Sequence, residues 1–411
     1  MFPTQFTGAS FTWERKKLGD VAEKVIQKNN NNAFKNVLTN SAEHGIISQR
    51  DFFERNIANK NNISTYYIVQ NDDFVYNPRI SNSAPYGPIN RNKTGYTGII
   101  SPLYYVFRVL GINTAFIEWY FKTTCWHKFM YQHGDSGARS DRFSIKDNEL
   151  KKLPIKLPAD DTEQEKIAKT LNSLNNTIQL HEQKCEELTL IKQALLQKLF
   201  PKKDEVRPDV RYKNFSDAWE QRKLVSLFSK FTDGDWIESK DQANTGIRLI
   251  QTGNIGITEF INKFGNEKWI SEETFKKLNC EEIFPGDIII SRLPDPAGRA
   301  CILPKLDTRM ITAVDCTIAR TSRETSAEFI VQYLSTQTYF KYVQSCLAGG
   351  TRQRISRKNL ANFNVSIPTE INEQKQIGFF FKQLDTLIAL HQRKLEKLKQ
   401  LKKFLLQNMF I

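Results

Sequence analysis

Two arginine-rich loops that contain glycine hold the side chains best suited to binding a polyanion. Residues 349–358 read GGTRQRISRK, with four cations beside two glycines, and residues 136–142, SGARSDR, occupy the equivalent place in the first half. Glycine lets a backbone approach a ligand closely, and arginine binds phosphates or the edge of guanine. A single basic loop is most often a solvated surface. Because this one recurs, we expect both loops to contact DNA.

The candidate DNA-binding residues fall into two groups. The loops contribute Arg139, Arg142, Thr351, Arg352, Gln353, Arg354, Arg357 and Lys358. Turns after strand-like segments contribute Arg79, Tyr86, Arg91, Lys93, Arg248, Arg292 and Arg299. Trp236 and Tyr96 could stack on bases or touch thymine methyl groups. Single aromatic residues are more often part of a core, so they receive no role here.

Motifs for catalysis are missing from the sequence. It contains no G-x-x-x-x-G-K-[ST] phosphate loop and no H-E-x-x-H. Asn77-Pro78-Arg79-Ile80 lacks the second proline and the aromatic residue of the N-P-P-[YF] motif of amino-methyltransferases. The five histidines have no metal-ligand spacing, and the six cysteines form no C-x-x-C pair. We therefore predict neither a catalytic residue nor a metal site in this chain.

The elements that position the loops arise from a tandem duplication. Residues 157–200 align without a gap to residues 367–410 at an offset of 210, with 16 of 44 positions identical. Average composition would give about 3 identities. Weaker matches at similar offsets link the rest of the two halves, such as Gly137-Ala138-Arg139 with Gly350-Thr351-Arg352. The chain therefore consists of a variable block and a long helix, repeated once.

Heptad spacing predicts that each repeated segment is a coiled-coil helix of roughly 38 residues, about 57 Å long. Pro158 and Pro368 stand just before the two helices. The first apolar seam comprises Ile167, Leu171, Leu174, Ile178, Cys185, Leu188, Leu195 and Leu199. The second comprises Ile377, Phe381, Leu384, Ile388, Leu395, Leu398, Leu405 and Met409.

Two polar positions interrupt both seams identically, His181/His391 and Lys192/Lys402. Polar seam residues usually specify register or pairing. The alternative, a catalytic histidine, lacks an accompanying nucleophile or carboxylate pair. We predict the register role.

The variable blocks contain short β-type runs, such as Tyr66–Val69 and Ile288–Ile290, and two helical runs, 114–131 and 327–346. We predict a mixed α/β (α+β) fold in which two recognition domains are separated by two long antiparallel helices with pseudo-two-fold symmetry. Residues 201–218 carry two prolines and no periodicity, which indicates a linker. The predicted boundaries are 1–152 and 219–366 for the domains, 153–200 and 367–411 for the helices, and 201–218 for the linker.

Composition agrees with a soluble nucleic-acid-binding protein. The 411 residues carry a formal net charge of +14, and charged residues make up 25%. An excess of positive charge favours a polyanionic partner. The scattered cysteines suggest a reduced, cytoplasmic protein, and we expect no membrane partner because no run approaches the roughly 20 apolar residues of a membrane span.

Four segments of the second half resemble the specificity subunits of type I restriction-modification systems: Trp219–Leu224 (WEQRKL), Phe284–Arg292 (FPGDIIISR), Gly349–Ser356 (GGTRQRIS) and Ile367–Ile377 (IPTEINEQKQI). The two-domain, two-helix organisation resembles that family over essentially the whole chain. The first half departs from the pattern, with ARSDRFS at 138–144 and NDDFVYNPR at 71–79.

The resemblance implies a non-catalytic DNA-binding subunit. Each variable block would be a target recognition domain reading one half of a bipartite, asymmetric sequence in double-stranded DNA, and the helices would fix the spacer. Two methylation subunits would carry S-adenosylmethionine, and restriction subunits would use ATP and Mg²⁺. Three alternatives stay open from the residues alone: a stand-alone DNA-binding regulator, an enzyme with an unrecognised nuclease site, and a coiled-coil scaffold.

Overall fold

The computed structural model describes residues 13–52, 63–136, 141–202, 205–294, 296–349 and 353–410. The chain divides into two compact units. The first unit comprises Met1–Leu180 and Leu395–Ile411, and the second unit comprises His181–Lys394. The predicted domain boundaries keep each long helix in one piece, whereas this division places the two ends of each helix in different units.

The first unit is a mixed α/β structure with short strands. Its elements are β1 (Trp13–Lys17), α1 (Leu18–Val21), β2 (Ala22–Lys24), β3 (Leu38–Ser41), β4 (Gly45–Ser48), α2 (Gln49–Phe52), a 3₁₀ turn (Ile63–Thr65), β5 (Tyr67–Val69), β6 (Phe74–Tyr76), β7 (Ile89–Arg91), β8 (Gly98–Ile100), β9 (Tyr105–Val109), α3 (Thr114–Phe121), α4 (His127–His133), β10 (Asp135–Ser136), β11 (Phe143–Ser144), α5 (Asp147–Leu150), β12 (Pro154–Pro158) and the start of α6 (Asp161–Leu199).

A four-stranded antiparallel sheet, in the order β2-β9-β6-β7, is the centre of the first unit. The apolar face of α3 packs over it with Phe116 and Tyr120, and the ring of Phe410 joins them 5.4 and 6.2 Å away between centroids. β1 and β12 form a separate antiparallel pair. The last residues of the chain therefore complete the core of the first unit.

The second unit is also a mixed α/β structure. Its elements are β13 (Glu220–Lys223), a 3₁₀ turn (Leu224–Leu227), β14 (Phe228–Asp233), a 3₁₀ turn (Ser239–Asp241), β15 (Gln242–Ala243), β16 (Ile247–Ile250), a 3₁₀ turn (Thr252–Asn254), β17 (Lys268–Ile270), α7 (Glu272–Lys277), β18 (Glu282–Ile283), β19 (Ile288–Ser291), β20 (Ala300–Ile302), β21 (Met310–Thr312), β22 (Cys316–Thr321), α8 (Ala327–Tyr333), α9 (Gln337–Ser345), α10 (Arg357–Asn362), β23 (Asn364–Ile367) and most of α11 (Ile371–Asn408).

Among its described residues, the second unit contains two larger sheets and the antiparallel pair of β13 with β23. One is antiparallel, in the order β14-β22-β19-β20, and the other is mixed, in the order β15-β17-β16-β21-β18. Phe200, at the end of α6, packs against Phe329 and Tyr333 of α8, with ring centroids 5.3 and 5.2 Å apart. Phe200 thus fills the position that Phe410 occupies in the first unit.

Two long helices confirm the heptad prediction, with α6 spanning 39 residues and α11 spanning 38. Every predicted seam residue is buried or half-buried. Within the first unit Asn175 meets Lys402, and Phe410 packs where α6 begins. Within the second unit His181 meets His391 and Lys192 meets Asp385. In both units residue numbers rise along one helix as they fall along the other, so the helices pack antiparallel there.

The predicted helical runs of the variable blocks are each broken once. Residues 114–131 form α3 and part of α4, and residues 327–346 form α8 and α9. The side chains of Asn113 and Ser326 cap the first helix of each pair by accepting a hydrogen bond from a backbone N–H, at 3.0 and 3.4 Å. No helix among the described residues is long and apolar enough to span a membrane.

The predicted linker contains neither helix nor strand in its described part, residues 201–202 and 205–218. Its Arg211 is nevertheless fixed. The guanidinium forms two hydrogen bonds of 2.7 Å with the buried carboxylate of Glu373. The segment is therefore anchored to the start of α11.

Candidate nucleic-acid interface

At one end of the strands of the four-stranded sheet in the second unit, several backbone segments lie side by side. The N–H of Ile355 donates to the carbonyl of Arg292 (3.1 Å), and the N–H of Arg292 donates to that of Asp315 (2.9 Å). The N–H of Val314 donates in turn to the carbonyl of Asp235 (2.8 Å). This continuous row of segments, here called the second edge, joins the basic loop to the ends of β14 and β19 and the start of β22.

The charged side chains of the second edge alternate in sign. Asp233 lies between two arginines, with an oxygen 3.6 Å from Arg292 Nε and another 3.7 Å from Arg357 Nε. Asp315 lies 3.9 Å from Arg354. The side chains of Arg354 and Arg357 keep 63% and 45% of their surface exposed. Exposed arginines held by carboxylates at one end can still present their other N–H groups to phosphates or base edges.

The described residues on either side of the basic loop in the second unit are held together. Ala348 and Arg354 exchange two backbone hydrogen bonds of 3.1 and 2.9 Å. Gly349 has a φ of +113°, a conformation that L side chains rarely adopt. After the loop, Ser356 caps α10 by accepting from the N–H of Asn359 at 3.1 Å. Gln353 and Lys358 are exposed, and the candidates Thr351 and Arg352 lie outside the described residues.

The first unit has a corresponding first edge. β10 and β11 pair around residues 137–142, and the N–H of Phe143 donates to the carbonyl of Pro78 at 2.8 Å. Arg79 and Arg142 pair through their backbones. Within the described part of the chain, neither arginine forms an ion pair. The structure therefore brings together two predicted cations, while Arg139 lies outside the described residues.

Two predicted DNA contacts of the second unit are corrected by burial. Arg299 is 9% exposed, and its guanidinium donates to the backbone carbonyls of Ile255, Leu293, Pro294, Pro296 and Thr252. Arg248 is 2% exposed, lies inside β16 rather than on a turn, and stacks over Trp269. Both arginines stabilise the interior. Arg292 is 8% exposed, and its guanidinium donates a hydrogen bond of 2.5 Å to the carbonyl of Val314. This bond stabilises the backbone of the second edge.

Three candidates of the first unit have contacts that the sequence did not predict, and their role in DNA binding stays a prediction. Arg91 pairs with Asp72 and Glu118, and Lys93 pairs with Glu118. Arg91 lies opposite Phe74, at the start of β6, whereas the first edge follows the end of that strand. Tyr86 packs edge-on against His127 and Phe143, with centroids 5.1 and 5.2 Å away. The two cations thus belong to a surface ion-pair cluster, and Tyr86 belongs to the packing beneath the loop.

Sequence reasoning missed a duplicated pair that fixes the central strands. Arg108 binds buried Asp73 through two hydrogen bonds of 2.7 and 3.0 Å, and Arg320 binds buried Asp287 through two of 2.8 Å. The carboxylates hold the pKa of both arginines above the ordinary value. The signal was present, since NDDFVYNPR and FPGDIIISR each place an aspartate directly before a strand.

A second duplicated pair joins each sheet domain to its helix. The side-chain oxygen of Gln164 accepts from the N–H of Asn113 (3.2 Å), and that of Gln374 accepts from the N–H of Ser326 (3.0 Å). Both glutamines are 1% exposed. Buried amides with satisfied partners favour one geometry, because any other leaves them unpaired. Each sheet is therefore held at a fixed orientation to the start of the helix that follows it.

The polar seam residues contact polar partners on the opposite long helix, and their role in register stays a prediction. His181 and His391, equivalent in the duplication, face each other with their Nδ1 atoms 2.8 Å apart. Lys192 donates to Asp385 at 2.5 Å, and the equivalent Lys402 donates to Asn175 at 2.6 Å. The helix pairing is thus pseudo-symmetric in its polar contacts.

Three buried cysteines of the second unit, Cys280, Cys301 and Cys316, are not activated thiols. Burial raises the pKa of Cys280 to about 11 and the pKa values of Cys301 and Cys316 to about 12. Thiols with such values stay protonated at neutral pH and are poor nucleophiles. Among the described residues no three His, Cys, Asp or Glu side chains cluster in a way that could hold a metal ion.

Comparisons with known proteins agree with this architecture. The family described as "Type I restriction modification DNA specificity domain" matches residues 11–190 and 216–400. Two relatives from Methanocaldococcus jannaschii carry the name of specificity subunit of the type I restriction enzymes MjaX and MjaVIII. They are 26% and 23% identical over 63% and 61% of this chain. The alignments span only 59% and 60% of those relatives.

Solved structures show the same fold. The type I restriction-modification system S subunit from M. genitalium superposes with a TM-score of 0.61 at 13% identity, over 100% of this chain and 99% of that one. The family match covers both halves of the duplication, each with its variable block and most of its helix. This chain belongs to the type I restriction modification DNA specificity family and contains two copies of its domain.

Proposed function

We propose that this chain is the specificity subunit of a type I restriction-modification enzyme. Each unit reads one half of a bipartite, asymmetric DNA target, and the complex directs adenine methylation and DNA restriction to it. The observation that carries the proposal is the repeated edge: the same backbone arrangement, a basic loop beside the end of a central strand, recurs in two units with different exposed side chains. A shared backbone arrangement that carries different exposed side chains can place two domains on DNA in the same way while reading different bases.

The long helices support a spacer of fixed length. A helix of 38 residues is about 57 Å long, and a DNA duplex of that length holds about 17 base pairs at 3.4 Å each. The seam contacts of His181, Lys192 and Lys402 hold one register within the respective units. A fixed register keeps the number of unread base pairs constant.

Partner subunits supply the chemistry. Two methylation subunits bind S-adenosylmethionine and flip the adenine out of the duplex. Restriction subunits use ATP and Mg²⁺. This chain contributes recognition alone.

Adenine-methylation mapping of variants tests the proposal. The chain is co-expressed with its methylation subunits, and the host DNA is sequenced for methyladenine. Arg354→Ala with Arg357→Ala removes two exposed cations of the second edge. We expect the wild type to give a gapped motif and the double variant to lose or relax one half of it. Each lost guanine contact costs about 1–3 kcal/mol of discrimination.

Arg309→Ala is the matched control. Arg309 is also a half-exposed arginine held by carboxylates, those of Glu272 and Glu282, but it precedes β21 at the end of that strand away from the second edge. The Arg309→Ala variant should give the same methylation motif as the wild type. Equal relaxation of both half-sites by the double variant would contradict the assignment of the second edge to one of them.

A further inference from the structure

Trp236 is a large apolar side chain in an unusual environment. Its side chain keeps 71% of its surface exposed, whereas Trp219 in the same unit is 2% exposed. Exposing so much of an indole to water is unfavourable, and exposed tryptophans concentrate at binding surfaces. Because Trp236 packs into neither sheet, the core of the protein does not account for it.

The backbone places Trp236 on the second edge. It follows Asp235, whose N–H donates to the carbonyl of Thr312 (2.9 Å) and whose carbonyl accepts from Val314 (2.8 Å). Asp233, three residues before Trp236, is the carboxylate between Arg292 and Arg357. The indole therefore belongs to the same row of segments as the basic loop.

Local contacts orient the indole without covering its faces. Trp236 Nε1 donates to a carboxylate oxygen of Glu238 at 3.3 Å. Glu238 is in turn paired with Lys240 at 2.7 Å, which neutralises its charge. One edge of the ring is thus tethered, and the exposed fraction leaves apolar surface for a ligand.

We propose that Trp236 is a base-contacting residue of the second half-site, packing its ring against base edges or thymine methyl groups of double-stranded DNA. This inference rests on the proposed function and adds a residue that reads sequence through apolar contact. Charge complementarity selects DNA as the occupant. The same edge carries three exposed cations, Arg354, Arg357 and Lys358. These cations can bind the phosphates of DNA while the indole contacts its bases.

Equilibrium binding by the assembled complex with its methylation subunits tests the role of Trp236. The probes are a duplex that carries the methylation-mapped site and a scrambled duplex of equal length. Trp236→Ala should weaken binding to the site at least about 5-fold, the effect of losing one base–aromatic contact. Trp236→Phe should retain most of the affinity. Binding to the scrambled duplex and the salt dependence should stay unchanged, since no phosphate contact is removed.

Phe264→Ala is the control. Phe264 is 81% exposed and lies between β16 and β17, and its loss should leave DNA affinity unchanged. Thermal melting should show that Trp236→Ala folds like the wild type.

Three outcomes would overturn the inference. If Trp236→Ala leaves site affinity unchanged while Arg354→Ala with Arg357→Ala loses it, the tryptophan has no role in reading and the proposed function stands. If Trp236→Ala instead prevents assembly with the methylation subunits, the surface docks protein rather than DNA. If the wild-type complex does not distinguish site from scrambled duplex, the proposed function itself fails.

Discussion

The two units share their internal supports and differ at their edges. Lys24 lies opposite Phe107 in the first unit, and Phe231 lies opposite Ala319 in the second. The duplicated arginines, Arg108 and Arg320, follow these partners directly. Two residues further along the chain than Lys24 and Phe231 stand Ile26, just beyond the end of β2, and Asp233, the last residue of β14.

This one position changes the chemistry of each edge. Ile26 is 72% exposed and apolar, whereas Asp233 holds Arg292 and Arg357. Arg79 follows the central strand β6 of the first unit, and the residue at the position of Asp233 there, Ile26, offers it no carboxylate. The duplicated units thus share the buried pairs that hold their sheets, while their exposed residues differ. Divergence there is what two unlike half-sites require.

The largest expected effect tests whether each unit is completed by the helix end assigned to it. Phe410→Ala should destabilise the first unit, and Phe200→Ala the second, by about 3–5 kcal/mol each. Both rings are buried, at 1% and 3% exposure, among aromatic residues of one unit. Hydrogen exchange resolved along the chain in urea measures each unit separately. Loss of protection in the opposite unit would contradict the assignment of Phe410 to the first unit and Phe200 to the second.

A smaller effect tests the pseudo-symmetric lysines. Asp385 accepts from Lys192, Gln332 and Thr258, whereas its equivalent Asn175 accepts from Lys402. Asp385→Asn should cost about 1–3 kcal/mol, because an amide cannot accept from all three donors. Denaturant unfolding measures the change.

The reciprocal variant is the control for this pair. Asn175→Asp creates an ion pair with Lys402 in the first unit, and it should be neutral or stabilising by up to about 1 kcal/mol. If both substitutions destabilised equally, the two positions would not be equivalent in the way the duplication indicates.

The smallest effect concerns pH. The pKa of His391 is lowered by burial and by the neighbouring His181, Lys394 and Lys184. The unfolded chain, with the ordinary histidine pKa of about 6.5, binds the proton first as pH falls. The contribution to stability is therefore present above about pH 6.5 and is lost as pH falls through the lowered pKa.

His391→Asn isolates that contribution. Between pH 7.5 and 5.5, protection of the second unit in hydrogen exchange should fall less in the variant than in the wild type. His127 is the internal reference, since burial also lowers its pKa and it lies in the first unit, which the substitution leaves unchanged. Identical pH profiles of the second unit in both proteins would contradict the assignment.

The sequence predicted the helices better than the edges for a physical reason. Heptad spacing is a local pattern, so the seam and its polar pair, His181 and His391, could be located without knowing the fold. Burial of Arg248 and Arg299 depends on contacts between segments far apart in the chain, and their residue type gave no sign of it. Asp73 and Asp287 precede strands visibly, yet their pairing with arginines needs the strand order.

Trp236 shows the same limit in the opposite direction. A lone tryptophan is usually core, whereas the fold leaves 71% of this one exposed. The loops, in contrast, were found from sequence because glycine and arginine recur at matching places in both halves. Repetition therefore indicated candidate sites, while the fold determines which of their described side chains are exposed.

Adenine-methylation mapping of the unaltered chain with its methylation subunits is the most direct test of the central claim. Two edges with different exposed residues predict a gapped motif whose two halves differ. A motif with identical, palindromic halves, or the absence of any motif from a complex shown to be assembled, would contradict the account.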